Sequence, residues 1–319
     1  MSIKIAGTGS CVPSLKVGNN DLLRLVDTSD EWITSRTGIH ERRILKDESL
    51  LDIAEKAANA ALKNAGVGAD ELDMILCTTI QGDYITPSLA CLLQSRINAK
   101  CPAFDLNAAC SGFIYALDVA ASYFEAKKAK KILVVCAEQL SKFVDWEDRR
   151  TCVLFGDGAG AVVLTEGDGL LAIRLRTAGQ ADFLNIPAPL PKNPFSDFEA
   201  IPRKSFLSMN GQEIYKFAVS TVTEDAVFAS EKAGIPFNGI DYFLLHQANG
   251  RIIEAVQTRV KQPKSKFPMN LCRMGNTSSA SIPLLLDELN AEHVLKKGDI
   301  LLMSAFGAGL TSGVCILRW

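Results

Sequence analysis

Histidine is scarce. The chain has three, His40, His246 and His293, and no two stand at i, i+4, which argues against a zinc or iron site on a helix face and leaves no metal expected. Long apolar runs are missing too: none approaches the roughly 18 residues of a membrane span. The amino terminus MSIKIAGTGSCVPS has no continuous hydrophobic region ahead of a cleavage site. A cytoplasmic protein with no membrane partner is therefore expected. Nor does one charge dominate, because 34 Lys+Arg face 36 Asp+Glu. Nothing global attracts nucleic acid or anionic lipid, and any basic patch must be local. The nine cysteines are odd in number and lack metal-type spacing, a pattern of reduced thiols and not of a disulfide framework.

What is present is an α/β pattern in 319 residues, enough for two domains or one duplicated unit. Short β-rich runs at 73–79, 131–139, 161–166, 241–247 and 299–305 alternate with amphipathic stretches such as LDIAEKAANAALKNAG at 51–66. The chain also resembles itself. KNAGVGADELDMILCTT (63–79) aligns on EKAGIPFNGIDYFLLHQ (231–247), NAACSGFIYALD (107–118) on NTSSASIPLLLD (276–287), and FGDGAGAVVL on FGAGLTSGVCIL from Phe155 and Phe306. Three pairs in one order predict two halves, 1–168 and 169–319, divided in the turn-like TEGDGLL.

Three residues stand at predicted strand-to-helix junctions. Cys110 lies between the strand-like CPAFDLNA and a helical stripe at 113, 114, 117, 120, 121 and 124. A helix amino terminus there favours thiolate and hence a nucleophile, although an inert buried thiol is the alternative. His246 closes DYFLLHQ ahead of another helical stripe, where a neutral imidazole suits acid–base or electrostatic work. The alternative is a ring satisfied by a backbone group. Asn276 in RMGNTSSAS reads alone as a helix cap, or as an amide donor to an enolate oxygen. FGDGAG lacks the GxGxxG spacing of a nucleotide loop and is expected to form a tight turn with close backbone approach.

DTSDEWITSRTGIHERR (27–43), DLNAACSGF, FGDGAGAVVL, LLHQANGRII and RMGNTSSASIP, in this order, closely resemble the β-ketoacyl-acyl carrier protein synthase III family of initiating condensing enzymes. The resemblance runs from IAGTGSCVP to LRW and implies a thiolase-like fold, duplicated and layered α-β-α-β-α. It implies that Cys110 takes an acyl group from acyl-CoA as a thioester. Decarboxylation of malonyl-acyl carrier protein, with His246 and Asn276 on the enolate oxygen, then yields a 3-oxoacyl-acyl carrier protein and CO2. The backbone N–H groups of Cys110 and Ala308 are implied as the oxyanion hole. No cofactor is implied, since acyl-CoA is a substrate. Asn276 stands where elongating relatives have a second histidine, and His293, in polar NAEHVLKKGD, fits a surface helix. FGAGLTSG lacks the second cysteine of degradative thiolases, and Cys315 falls within the last strand.

The same resemblance places CoA against Trp32, Arg36, Thr37, Arg149, Gly211 and Asn249. DRRT departs from the family by carrying Arg150 in place of a glycine. Arg251 and Arg259, in the basic run RIIEAVQTRVKQPKSK, are implied to dock the acidic carrier, and KQPKSK departs from the usual glycine-containing turn. YITPSLAC matches a segment that reaches the neighbouring subunit's acyl pocket in a homodimer. Thr86 stands there where phenylalanine is common, so longer or branched primers are expected. A related acyltransferase of secondary metabolism and a non-enzymatic scaffold are the competing expectations.

Overall fold

A computed structural model describes residues 3–195, 197, 199–202 and 205–319. The first part of the chain runs β1 (Ile3–Cys11), β2 (Leu15–Gly18), α1 (Asp30–Thr37), β3 (Glu41–Ile44), α2 (Leu50–Ala65), β4 (Met74–Thr78), α3 (Leu89–Arg96), β5 (Ala103–Leu106), α4 (Gly112–Glu125), β6 (Lys131–Gln139) and β7 (Asp157–Glu166). The second runs β8 (Leu170–Gln180), β9 (Leu184–Asn185), β10 (Ser208–Met209), α5 (Gly211–Ala233), β11 (Tyr242–Leu245), α6 (Gly250–Val260), α7 (Leu271–Met274), α8 (Ser281–Ala291), β12 (Ile300–Gly307) and β13 (Gly309–Arg318).

Two sheets carry the architecture. One has the order β1-β7-β6-β4-β5 and the other β11-β12-β13-β8. In the first, β4 is parallel to β5 and β6, β6 is antiparallel to β7, and β7 to β1. The second repeats this without a counterpart of β5: β11 is parallel to β12, β12 antiparallel to β13, and β13 to β8. Residues 167–169 alone link the two sheets.

Alternation along the buried strands decides the layers. Leu76, Val134 and Val162 of one sheet, and Leu244, Met303 and Cys315 of the other, face inward onto α4 and α8. Their neighbours Cys77, Val135 and Val163 turn outward onto α2 and α3, and Phe243, Leu302 and Val314 turn outward onto α5 and α6. The result is five layers, helix–sheet–helix–sheet–helix, the α/β arrangement the resemblance implies.

Local sequence accounts for the helices that frame this core. Helix α2 starts on a reciprocal cap in which Ser49 Oγ accepts from Asp52 N–H at 3.1 Å and the Asp52 carboxylate accepts from Ser49 N–H at 2.9 Å. It ends at Gly66, φ 65°. Its small buried face, with Ala54, Ala57, Ala58 and Ala61, lets β1 lie close. His293 lies exposed just past the end of α8 and not within a surface helix. FGDGAG also differs from expectation. Gly158 and Gly160 are inside β7, so the motif is a strand entry and not a tight turn, while the close backbone approach is present at Gly156.

Among the described residues no helix is long and apolar enough to cross a membrane.

Candidate active site

Cys110 follows the edge strand β5. Asn107 Oδ1 accepts from Ala109 N–H at 3.1 Å, Ala109 sits in the left-handed region at φ 47°, and a single 3-10 turn, Ala109–Ser111, precedes α4. The second sheet closes on this turn. A Cβ on Gly307, the last residue of β12, would lie 2.6 Å from Cys110 N, so that backbone fits only as glycine. Ser111 and Thr311 join the two parts through their hydroxyls, 2.6 Å apart.

Cys110, His246 and Asn276 border one cavity of ≈ 310 Å³, whose wall is mostly apolar and includes Leu154, Ile186, Leu207, Met209 and Phe306. Ala308 borders it as well. Each of the three side chains is held in a definite chemical form.

Burial pushes the Cys110 thiol up to about 12, with the Ser278 hydroxyl drawing it partly back. A helix terminus is worth at most about 2 kcal/mol, roughly one and a half pH units. That does not ionise such a thiol at neutral pH, so the helix start favours the thiolate without making it the resting form.

Burial pushes His246 the other way, down to about 3, so its ring is neutral. Nδ1 lies 2.7 Å from Ser281 Oγ, which already accepts from Gln247 N–H at 3.3 Å. When the Ser281 hydroxyl donates to Nδ1, the ring proton lies on Nε2. Phe306 packs edge-on against the imidazole, centroids 5.3 Å apart.

Asn276 is held by its own backbone and by one side-chain bond. Its N–H donates to Leu154 O at 2.8 Å, its carbonyl accepts from Gly156 N–H at 3.0 Å, and Oδ1 accepts from Ser278 N–H at 2.9 Å. It therefore opens the short turn Ser278–Ala280 and does not cap α8 directly. With Oδ1 engaged, the amide presents Nδ2 as donor. The backbone contact at Gly156 is tight enough to test: a Cβ there would meet Met274 O at 2.2 Å and Arg42 Cβ at 3.3 Å. Gly156→Ala is expected to cost about 3 kcal/mol or somewhat more, read as a lowered urea midpoint at unchanged slope. A midpoint equal to wild type would show that Met274 gives way freely.

The remaining residues divide. Gly211 and Asn249 line the cavity, Gly211 with open space around it and Asn249 donating from Nδ2 to Arg36 O at 3.1 Å. Trp32 lies under two guanidinium groups, Arg36 at 4.6 Å and Arg149 at 5.1 Å from the ring centroid. Arg150 is turned away onto Asp148 at 2.9 Å, leaving Arg149 as the partner of Trp32. Arg149 covers the indole directly, so a stacked base would enter by displacing it. Thr37 does not reach the cavity. It is buried, its hydroxyl donating to Ile33 O at 2.7 Å and accepting from Ile39 N–H at 3.0 Å. Arg251 and Arg259 are both exposed on α6, while Lys266 is spent on the Asn238 and Ile240 carbonyls. Thr86 is exposed and outside this chain's own cavity.

Sequence reasoning missed Ser281, Phe306 and Glu138. The last had a visible signal: one carboxylate at the end of the apolar run KILVVCAEQ.

Known proteins resemble this chain in sequence and fold. The family described as 3-Oxoacyl-[acyl-carrier-protein (ACP)] synthase III matches residues 104–179, and its C-terminal companion matches residues 230–319. The chain is 47% identical over 322 residues to a β-ketoacyl-[acyl-carrier-protein] synthase III of Clostridium acetobutylicum, covering 100% of this chain and 99% of that one. The crystal structure of 3-oxoacyl-[acyl-carrier-protein] synthase III from Aquifex aeolicus superposes with a TM-score of 0.93 at 45% identity, covering 99% of this chain and 100% of that one. The priming β-ketosynthase of the R1128 polyketide biosynthetic pathway superposes at 0.92 with 33% identity, covering 99% and 96%.

Proposed function

Because the chain belongs to the 3-oxoacyl-[acyl-carrier-protein] synthase III family, we propose that it initiates fatty acid synthesis by condensing an acyl-CoA primer with malonyl-acyl carrier protein. The observation that carries this reading is the convergence of a thiol, a neutral imidazole with its proton on Nε2 and an amide donor on one apolar cavity.

Cys110 is the nucleophile. Its sulfur attacks the primer thioester, the oxyanion is held by the N–H groups of Cys110 and Ala308, and CoA departs with the thiol proton. Malonyl-acyl carrier protein then loses CO2. The electron pair released resides on the thioester oxygen, where His246 Nε2–H and Asn276 Nδ2–H donate, in a dry site where such bonds are strongest. The enolate carbon attacks the acyl-Cys110 carbonyl, the C–S bond to Cys110 breaks, and the departing thiolate takes up the one proton that the condensation consumes, from solvent. The steps call for no cofactor, since acyl-CoA is consumed.

CoA enters along the path from Trp32 and Arg149 to Gly211, Asn249 and the cavity, with Arg36 over the indole and Thr37 shaping the turn beneath. Trp32 packs on the same apolar cluster that contributes Leu207, Leu154, Ile186 and Met209 to the cavity wall. The acidic carrier docks on α6 at Arg251, with Arg259 adding to its approach. Strand β5 is a free edge carrying exposed Phe104, and Tyr84 and Ile85 are exposed in the segment before α3. An uncovered apolar edge favours pairing with a second copy, and a homodimer formed there would bring Thr86 toward the partner's acyl pocket. The two halves, 1–168 and 169–319, are then one unit duplicated.

Intact-protein mass after incubation with acyl-CoAs of two to eight carbons, straight and branched, tests this reading. The expected result is an adduct on Cys110 that malonyl-acyl carrier protein converts to a 3-oxoacyl carrier, with four- to eight-carbon or branched primers loading at least as fast as acetyl. Strong acetyl preference would overturn the Thr86 assignment. An adduct that malonyl-carrier leaves untouched would favour an acyltransferase of secondary metabolism.

A further inference from the structure

Acyl transfer leaves one proton unaccounted for. Cys110 starts as a half-buried thiol whose pKa is pushed up, and something must take its proton as the sulfur attacks. His246 is unsuited: its Nε2 already carries a proton and its Nδ1 is closed by Ser281.

Glu138 is a buried carboxyl that the steps above do not use. It stands at the end of β6, 1% exposed. One oxygen accepts from Ile80 N–H at 3.0 Å, and the other accepts from the hydroxyls of Ser278 at 3.0 Å and Ser279 at 2.7 Å. Among the described residues no lysine, arginine or histidine forms an ion pair with it. The turn Ala109–Ser111 packs on the turn Ser278–Ala280, and the Ser278 hydroxyl draws the Cys110 thiol down. Ser278 therefore stands beside the turn that carries the thiol and at the same time holds the Glu138 carboxylate at 3.0 Å.

We propose that Glu138 is the proton acceptor for Cys110 during acyl transfer, reached through the Ser278 hydroxyl. This deepens the condensing-enzyme reading and rests on it. As the sulfur attacks the thioester, its S–H bond breaks and the proton passes to Ser278 Oγ, whose own proton moves to Glu138. When the tetrahedral adduct collapses, the C–S bond to CoA breaks and the proton returns by the same relay to the departing CoA sulfur. The balance is acyl-CoA plus thiol giving acyl-cysteine plus CoA thiol, with Glu138 ionised at the start and the end.

Burial pushes Glu138 up to about 7 while the bonds from Ile80, Ser278 and Ser279 restrain it. A base near the working pH is well matched to proton transfer. The titratable groups facing it are Cys110 from the turn before α4, Cys136 from β6 and Lys142 from the segment after β6. Both thiols are held protonated by burial, so they do not titrate in this range. Below about pH 7 Glu138 is protonated and cannot accept, so acylation should slow tenfold per pH unit there and level off above.

The test is the rate of Cys110 acylation by acyl-CoA, followed by intact mass from pH 5.5 to 8.5, in wild type, Glu138→Gln and Ser278→Ala. Wild type is expected to show the acid limb. Both variants are expected to lose about 100-fold at pH 8 and to lose the limb. Ser278→Ala keeps the Ile80 and Ser279 bonds to Glu138, so it removes the relay while leaving the carboxylate anchored. A slower variant that retained the wild-type limb would make Glu138 a structural anchor only and overturn the proposal. So would a wild-type profile flat between pH 6 and 8, which needs no variant to fold. Absence of any adduct on wild type at every pH would instead sink the condensing-enzyme reading.

Discussion

Cys110→Ser is expected to form no acyl adduct on the timescale of wild-type turnover and to lower condensation by at least about 1,000-fold. The substitution is nearly isosteric, so the turn at Ala109–Ser111 and its contact with Gly307 survive. What changes is the chemistry of the attacking atom. A serine hydroxyl is a weak nucleophile without a strong base beside it, whereas sulfur exchanges readily between thioesters. His246, neutral and with its proton on Nε2, does not supply that base, and a carboxylate such as Glu138, matched to a thiol, is too weak to deprotonate an alcohol. Stopped-time intact mass measures the adduct, and release of 3-oxoacyl carrier measures the whole reaction. Acylation of the serine variant at the wild-type rate would place the nucleophile elsewhere.

Asn276→Ala separates the two half-reactions. Loading of Cys110 is expected to persist, while CO2 release from malonyl-acyl carrier protein falls about 100- to 1,000-fold, the usual consequence of removing one donor from a developing oxyanion. The loop should keep its course, because the backbone bonds from Asn276 to Leu154 and Gly156 do not involve the side chain. The lost Oδ1 bond to Ser278 N–H costs roughly 1 kcal/mol of stability, far less than the effect on rate. Equal losses in loading and in CO2 release would show instead that the loop had moved.

The sequence was readable wherever the determining contacts were local. The strand at 131–139 was placed to the residue, and Cys110 was located at a helix start because small residues and a helical stripe flank it. Interactions that define the chemical states were invisible. Ser281 meets His246 Nδ1 from 35 residues away, and Ser278 and Ser279 meet Glu138 across 140 and 141. No period or motif records such pairings. At Thr37 the motif does not show that the hydroxyl is engaged by its own helix end.

Helix α8 bears on how the protein is made. It packs beneath β1 and β7 in the middle layer, with Leu284 and Leu285 in the same core as Val162 and Leu164. Strands β1 and β7 are complete by residue 166, yet α8 begins only at Ser281. A ribosome adding roughly 5–20 residues per second needs about 6–23 s to bridge that interval. Through it, the inner face of the first sheet waits on the nascent chain, covered in part by α4. Synthesis is therefore the interval in which this protein is most exposed to aggregation and most dependent on a chaperone that holds apolar sheet faces. Slow codons between residues 167 and 280 would lengthen that exposure without changing a single amino acid.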